Sequence, residues 1–246
     1  RKEWREYVAH QQWAQSESGV DTLCYVARVA RTRFDAWLFE TRMDDAPEFA
    51  VTDEPGFGAA AAPADGPDFA VFKYVEPQLL HGELLGLRLA PLPDSPLRAV
   101  IETATERATP VLSSAVPRVA GPHDPWSATL IIPVTSDGKP RPGGDGSEIN
   151  VGWVVALVDV GRLLRHELEQ TSPGIEIEVF DGKRTDPESC LVDLDHNPAA
   201  CSRRDEDARH THERTIFPLG HAWTVRAWAT MAWDFSTAEE FQEKLD

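Results

Sequence analysis

Between Phe72 and Arg98 the chain reads FKYVEPQLLHGELLGLRLAPLPDSPLR, and this stretch restricts the fold more than any other. Phe72 to Val75 is aromatic and β-branched, and Glu76-Pro77 closes it, because proline restricts its predecessor and cannot extend a ladder. After the polar break His81-Gly82-Glu83, Leu84 to Leu89 reads as a buried strand whose one charged member is Arg88. Ser95-Pro96 then places a capping hydroxyl before a proline at the first helical position, predicting a helix through Val100, Ile101 and Ala104 towards Arg107. An arginine on an apolar strand, beside an aromatic strand and a helix entry, marks a candidate ligand pocket. The alternative is that Arg88 points to solvent at a strand edge.

The balance of charges narrows the partners. A net charge of −17 and a pI near 4.8 argue against nucleic acid and anionic lipid surfaces, which would repel the chain. No run approaches the roughly 18 to 20 apolar residues of a membrane span, and no signal peptide opens the sequence. The chain as given reads as soluble. It opens inside a helical pattern at Arg1-Lys2-Glu3-Trp4 and closes in another from Thr237, so both ends read as cut from something longer.

Taken in order, residues 1 to 17 carry Trp4, Tyr7, Val8, Trp13 and Ala14 at threes and fours, a narrow apolar stripe on a helix that needs a partner: the rest of the chain, or a second copy. A second helix is expected from near Asp21, with Leu23, Val26, Ala27, Ala30, Phe34, Trp37 and Leu38 on one face and Cys24 within it. Phe49 to Thr52 reads as a strand, Asp53 to Pro67 as a loop, and Thr109 to Val116 as a further strand whose Ser113 and Ser114 offer hydroxyls. Long helices followed by returning strands describe an α+β domain. Pro117 to Pro125 is the expected connector. Beyond it come strands Ser127 to Val134 and Val151 to Val158, a helix Val160 to Gln170, an alternating strand from Ile175 with one acidic face, and a hairpin of Thr215 to Leu219 with Ala222 to Thr230 turning at Gly220.

Catalytic and metal chemistry find little support. Asp193, Asp195, His196, His210, His212 and Glu213 supply ligand types, but they lie in a polar region with no fixed fourth ligand. Gly143 to Gly146 lacks the lysine and the strand-loop-helix setting of a phosphate cradle. Asp159 and Asp181 read as turn or cap residues. With no general acid, base and nucleophile assembled, an enzyme is the weaker class, and no cofactor is expected. In an oxidising compartment Cys190 and Cys201 are the natural disulfide pair, leaving Cys24 as a buried thiol.

In this order, Val20-Asp-Thr-Leu-Cys-Tyr-Val-Ala-Arg-Val, Phe39-Glu40, Tyr74-Val-Glu-Pro, Leu85-Gly-Leu-Arg-Leu, Pro96-Leu-Arg98, Val111-Leu-Ser113, Leu130-Ile-Ile-Pro-Val, Gly152-Trp-Val and the late Trp223 resemble the CHASE family. These are extracytoplasmic sensory domains of histidine kinases, nucleotide cyclases and diguanylate cyclases. The resemblance implies a long stalk helix, membrane-distal and membrane-proximal PAS-like domains, flanking transmembrane helices outside this chain, and a pocket in the distal domain. One departure matters: where the family typically has an aspartate that accepts from an adenine ring, this chain has Arg88, which only donates and suits an anionic or carbonyl-bearing ligand. An internal partner such as Glu76 is the competing role.

The resulting expectation is an α+β protein: stalk and packing helices over 1–48, a distal PAS-like ligand-binding domain over 49–125, a proximal PAS-like domain over 126–235, and an exit segment over 236–246. Its expected ligand lies between strands Phe72 to Val75 and Leu84 to Leu89. Arg88 is the anchor, Tyr74 and Ser113 are polar contacts, and Phe72, Glu76 and Gly86 line the site, Gly86 leaving room beside Arg88 because Leu87 and Leu89 face the other way. The chain would be the periplasmic or extracellular sensing region of a transmembrane receptor, dimerising through its first helix. A stand-alone solute-binding or adhesion module is the runner-up, and a hydrolase the third reading.

Overall fold

The computed structural model describes residues 2–11, 19–44, 46–54, 68–77, 82–90, 95–114, 128–136, 150–169, 175–193 and 209–229. The chain divides into two compact units, Arg1–Leu163 and Leu164–Asp246.

The first unit is organised around β1 (Val20–Ala30), a strand where the sequence predicts a helix. The threefold and fourfold spacing of Leu23, Val26 and Ala27 is real, but Thr22, Cys24 and Val29 beside and among them are buried as well. An apolar run buried all round belongs to a central strand with both faces covered, a case periodicity does not distinguish from a buried helix. The helix starts only at Phe34, after a 3₁₀ turn at Arg31–Arg33, as α2 (Phe34–Met43). Before β1, α1 spans ten residues, Lys2–Gln11; no longer stalk helix occurs among the described residues.

Seven strands form the first sheet in the order β2-β4-β3-β1-β7-β6-β5. They are β2 (Thr52–Asp53), β3 (Asp68–Glu76), β4 (Leu87–Arg88), β5 (Val111–Ser113), β6 (Ala128–Thr135) and β7 (Asn150–Val158) around β1. All pairings are antiparallel except β2 with β4. Because β6 and β7 pair here, they belong with the first unit, and the division falls after Leu163 instead of near residue 125. The strand expected over Leu84 to Leu89 shrinks to the two residues of β4, since Gly82–Leu84 winds into a 3₁₀ turn. Between β4 and β5, α3 (Pro96–Arg107) forms as its signals predict: Ser95 Oγ accepts from the Arg98 amide at 3.3 Å, and Pro96 occupies the first turn. It lays Leu97, Ile101 and Ala104 on the sheet against Phe72, Ile131, Trp153 and Val155.

After β7, Asp159 Oδ1 accepts from the Arg162 amide and caps α4 (Val160–Glu169), the role its sequence position predicts. The second unit is a four-stranded antiparallel sheet, β10-β11-β8-β9, built from β8 (Ile175–Asp181), β9 (Cys190–Asp193), β10 (Arg209–Ile216) and β11 (Trp223–Ala229). The acidic face expected of β8 is only partly solvated, Glu176 being half-buried. Glu178 is buried and accepts from Arg226 Nη1 at 3.3 Å, while the guanidinium reaches Glu213 on its other side and lies 5.0 Å from the Phe180 ring centre. Among the described residues, no helix is long and apolar enough to cross a membrane.

Candidate functional site

Strand register sorts the expected site residues onto two faces of the first sheet. Directly opposed residues share a face. Val71 opposes Arg88, and Val71 packs with Phe49, Val29 and Phe69, away from α3. Arg88 therefore lies on the face that carries α2, its guanidinium 4.8 Å from the Phe69 ring centre. There it pairs with Asp53 from the neighbouring strand, through Nε at 2.7 Å and Nη2 at 2.6 Å. The partner expected from sequence, Glu76, is instead 3.2 Å from Arg5 of α1.

Gly86 makes no room. With φ +82, it sits where a Cβ would lie 1.9 Å from the Ala50 carbonyl oxygen, so its missing side chain admits the backbone of a neighbouring segment.

Phe72 and Tyr74 also part company. Tyr25 opposes Tyr74 but Val26 opposes Phe72, so Lys73 is an extra residue that flips the strand's facing. Phe72 enters the core beneath α3. Tyr74 joins Trp4 of α1 and Tyr25 of β1, with ring centres 5.9 to 6.4 Å apart, and its hydroxyl donates to Asp44 Oδ2 at 2.7 Å. That bond holds the Asp44 carboxyl below the ordinary range; burial opposes it, and Lys73 adds to it.

Ser113 is on the α3 side, at the far edge of the sheet from Arg88. Five strand intervals separate β4 from β5, roughly 24 Å along a flat sheet. The expected anchor and its expected polar contact do not share a site.

A different set of polar groups does converge. Ser113 opposes Thr129, Thr129 opposes Leu157, and Leu157 opposes Thr22. Leu157 packs in the α3-side core, so Ser113, Thr129 and Thr22 form a row on that face, all buried. The adjacent row on the same face is apolar: Val111, Ile131, Val155 and Cys24. Among the described residues Thr22 Oγ1 finds no hydrogen-bond partner, an unusual state for a buried hydroxyl. Cys24 is a free thiol, pushed upwards first by burial and then by the charge of Glu76, and so is unreactive. Sequence reasoning missed Thr22 because it placed β1 in a helix. It also passed over the half-buried pair of Arg98 with Glu102 on α3, 2.6 Å apart, which the i, i+4 spacing makes legible.

Among the described residues, no group of three or more His, Cys, Asp or Glu side chains could hold a metal ion. Asp195, His196, Cys201, the Gly143 to Gly146 loop and the Pro117 to Pro125 connector lie outside the described residues. Cys190 is disulfide-bonded.

A family model described as CHASE domain matches residues 1–191. The chain belongs to the CHASE family. It is thus a member of a family of extracytoplasmic, non-catalytic sensory domains. Among solved structures, this CHASE domain is similar to an extracellular ligand binding receptor from Desulfohalobium retbaense DSM5692, with 16% identity and a TM-score of 0.35. The match covers 65% of this chain and 28% of that receptor, too slight a likeness to carry an argument. No curated protein matches.

Proposed function

We propose that this CHASE domain is the ligand-sensing region of a transmembrane receptor, periplasmic or extracellular, that reports a bound small molecule to a histidine kinase or cyclase output domain. Within the first unit, the five longer antiparallel strands run β3-β1-β7-β6-β5, the order 2-1-5-4-3, with α3 between the second and third; this arrangement supports a PAS-like reading of that unit. The receptor would dimerise through α1, whose Tyr7 is exposed while Trp4 is stacked on its own sheet.

The observation that carries the reading is the row Thr22, Thr129 and Ser113 on an otherwise apolar, α3-covered face. A ligand there has an apolar body and an uncharged hydrogen-bonding end, since the row itself holds hydroxyls and no charge. Arg88 supports an anionic ligand less well, because its charge is already met by Asp53.

A thermal-shift screen of neutral and anionic metabolites tests this, because a ligand of the native state raises Tm. A neutral binder should lose roughly two- to tenfold in affinity in Ser113→Ala and in Thr22→Val, the worth of one uncharged hydrogen bond. An anionic binder lost in Arg88→Ala and untouched by both other changes would move the site to the α2 face.

A further inference from the structure

We propose that the tip of the β10–β11 hairpin, Ile216 to Gly220, is a lipid-contacting device that seats the second unit on a bilayer surface. Three large apolar side chains are exposed within four consecutive residues: Phe217 at 61%, Leu219 at 49% and Ile216 at 38%. Apolar residues scattered singly at a surface need no explanation; here three are contiguous at one turn.

The backbone supplies a second observation. Leu219 adopts φ 48 and ψ 35, the left-handed region that glycine or asparagine occupies at little cost and leucine does not. A turn selected only to reverse the chain would carry one of those residues. Leucine kept in that conformation exposes an apolar side chain that the fold of the hairpin does not use.

The surroundings suit a lipid headgroup layer. The β8–β9 turn lies beside the tip, Gly182 donating to the Ala222 carbonyl at 2.8 Å and His221 paired with Asp181. In the sequence flanking the tip and that turn, Lys183, Arg184, Arg214 and Arg226 accompany Asp181, Asp186, Glu188 and Glu213, with Arg184 bonded to Asp186 and Arg226 to Glu213. In a chain of net charge −17, these flanking segments carry charges of both signs, so at physiological salt the repulsion that the whole chain would meet at an anionic surface is weakened at the tip.

A second copy of the chain fits less well. Three partly exposed side chains offer roughly 250 Å² of apolar area, judged from the 150–250 Å² of a whole aromatic residue, against about 800 Å² per partner in a stable protein interface. A small apolar hairpin turn matches the shallow insertion of apolar side chains at the headgroup boundary.

The test is flotation of the 246-residue chain with phosphatidylcholine vesicles, with and without phosphatidylglycerol, beside the variants Phe217→Ser and Leu219→Asn. The wild type should float with phosphatidylcholine vesicles at low and at high salt and with phosphatidylglycerol-containing vesicles at high salt, and each variant should bind about tenfold more weakly. Leu219→Asn should keep or raise Tm while losing binding, because asparagine tolerates the left-handed turn; a merely structural leucine would not separate the two readouts. A wild type that stays unbound, variants that float equally, or binding seen only at low salt with phosphatidylglycerol would each overturn the proposal. So would dimerisation in light scattering that Phe217→Ser abolishes, which would make the tip a protein contact.

Discussion

Trp153 of β7 donates its indole N–H to Thr105 Oγ1 of α3 at 2.9 Å, so the largest fully buried side chain of the core is also tied to the helix that roofs it. Buried indoles need such a partner. Trp153→Ala should cost about 3 to 5 kcal/mol through the cavity it leaves, and Thr105→Val about 1 kcal/mol through the orphaned indole. Chemical denaturation of the two single variants and the double variant checks this: Thr105→Val should cost nothing further once Trp153 is alanine.

Glycine positions give a paired comparison. Gly86 and Gly182 both have positive φ, at +82 and +77, but an added Cβ meets the Ala50 carbonyl at Gly86 and open space at Gly182. Gly182→Ala should therefore cost only about 1 to 2 kcal/mol, the left-handed penalty, whereas Gly86→Ala should cost clearly more because backbone must move. Equal losses in urea denaturation would contradict the close approach.

Much of the fold was legible where local signals agree. Ser95-Pro96 marked α3 because a cap and a preset φ are written in two residues, and β6, β7 and β8 followed from β-branched runs bounded by turns. What failed depended on neighbours far away in sequence. The central position of β1 is set by pairing with both β3 and β7, which no window of Val20 to Ala30 reveals. The candidate site failed for a related reason: the extra residue Lys73 turns Tyr74 away from Phe72, and Arg88 finds a partner 35 positions earlier, at Asp53. Alternation placed Arg88 opposite Leu87 and Leu89 correctly, yet it could not show which face α3 covers.

The Tyr74 bond to Asp44 predicts a pH dependence. Asp44 titrates below its ordinary value in the folded chain, so its stabilising contribution is complete above the unfolded pKa, near 3.9, and is lost as pH falls through the depressed folded value. Tyr74→Phe removes the donor and keeps the ring against Trp4. It should be less stable than wild type at neutral pH, with the difference shrinking below about pH 4. A difference in thermal stability that is constant from neutral pH to pH 3 would refute the assignment.

The disulfide is expected to join Cys190 to Cys201. Cys190 is disulfide-bonded and Cys24 is free, and the chain has three cysteines. Peptide mapping under non-reducing conditions should recover the 190–201 pair, and Cys201→Ser should cost about 2 to 4 kcal/mol, the usual worth of a bridge over a short loop. Recovery of Cys190 bonded to any other thiol would exclude the pair.

Arg88 is expected to act on stability. Its side chain is 18% exposed and Asp53 is 29% exposed, so the pair is partly desolvated, with Nε and Nη2 both meeting Asp53 Oδ1, between a surface bridge worth little and a buried one whose breaking is severe. Arg88→Ala should cost about 1 to 2 kcal/mol, the range for a hydrogen-bonded charge pair in such a setting, together with the loss of contact with Phe69. Arg88→Asp should cost more than Arg88→Ala, because it sets a second carboxylate against Asp53. Adding Asp53→Ala to Arg88→Ala should restore part of the loss by removing the unpaired charge, which denaturant melts of the full cycle would measure. Simple additivity of the two single changes would mean that the pair contributes nothing, and Arg88 would again be free to serve a ligand.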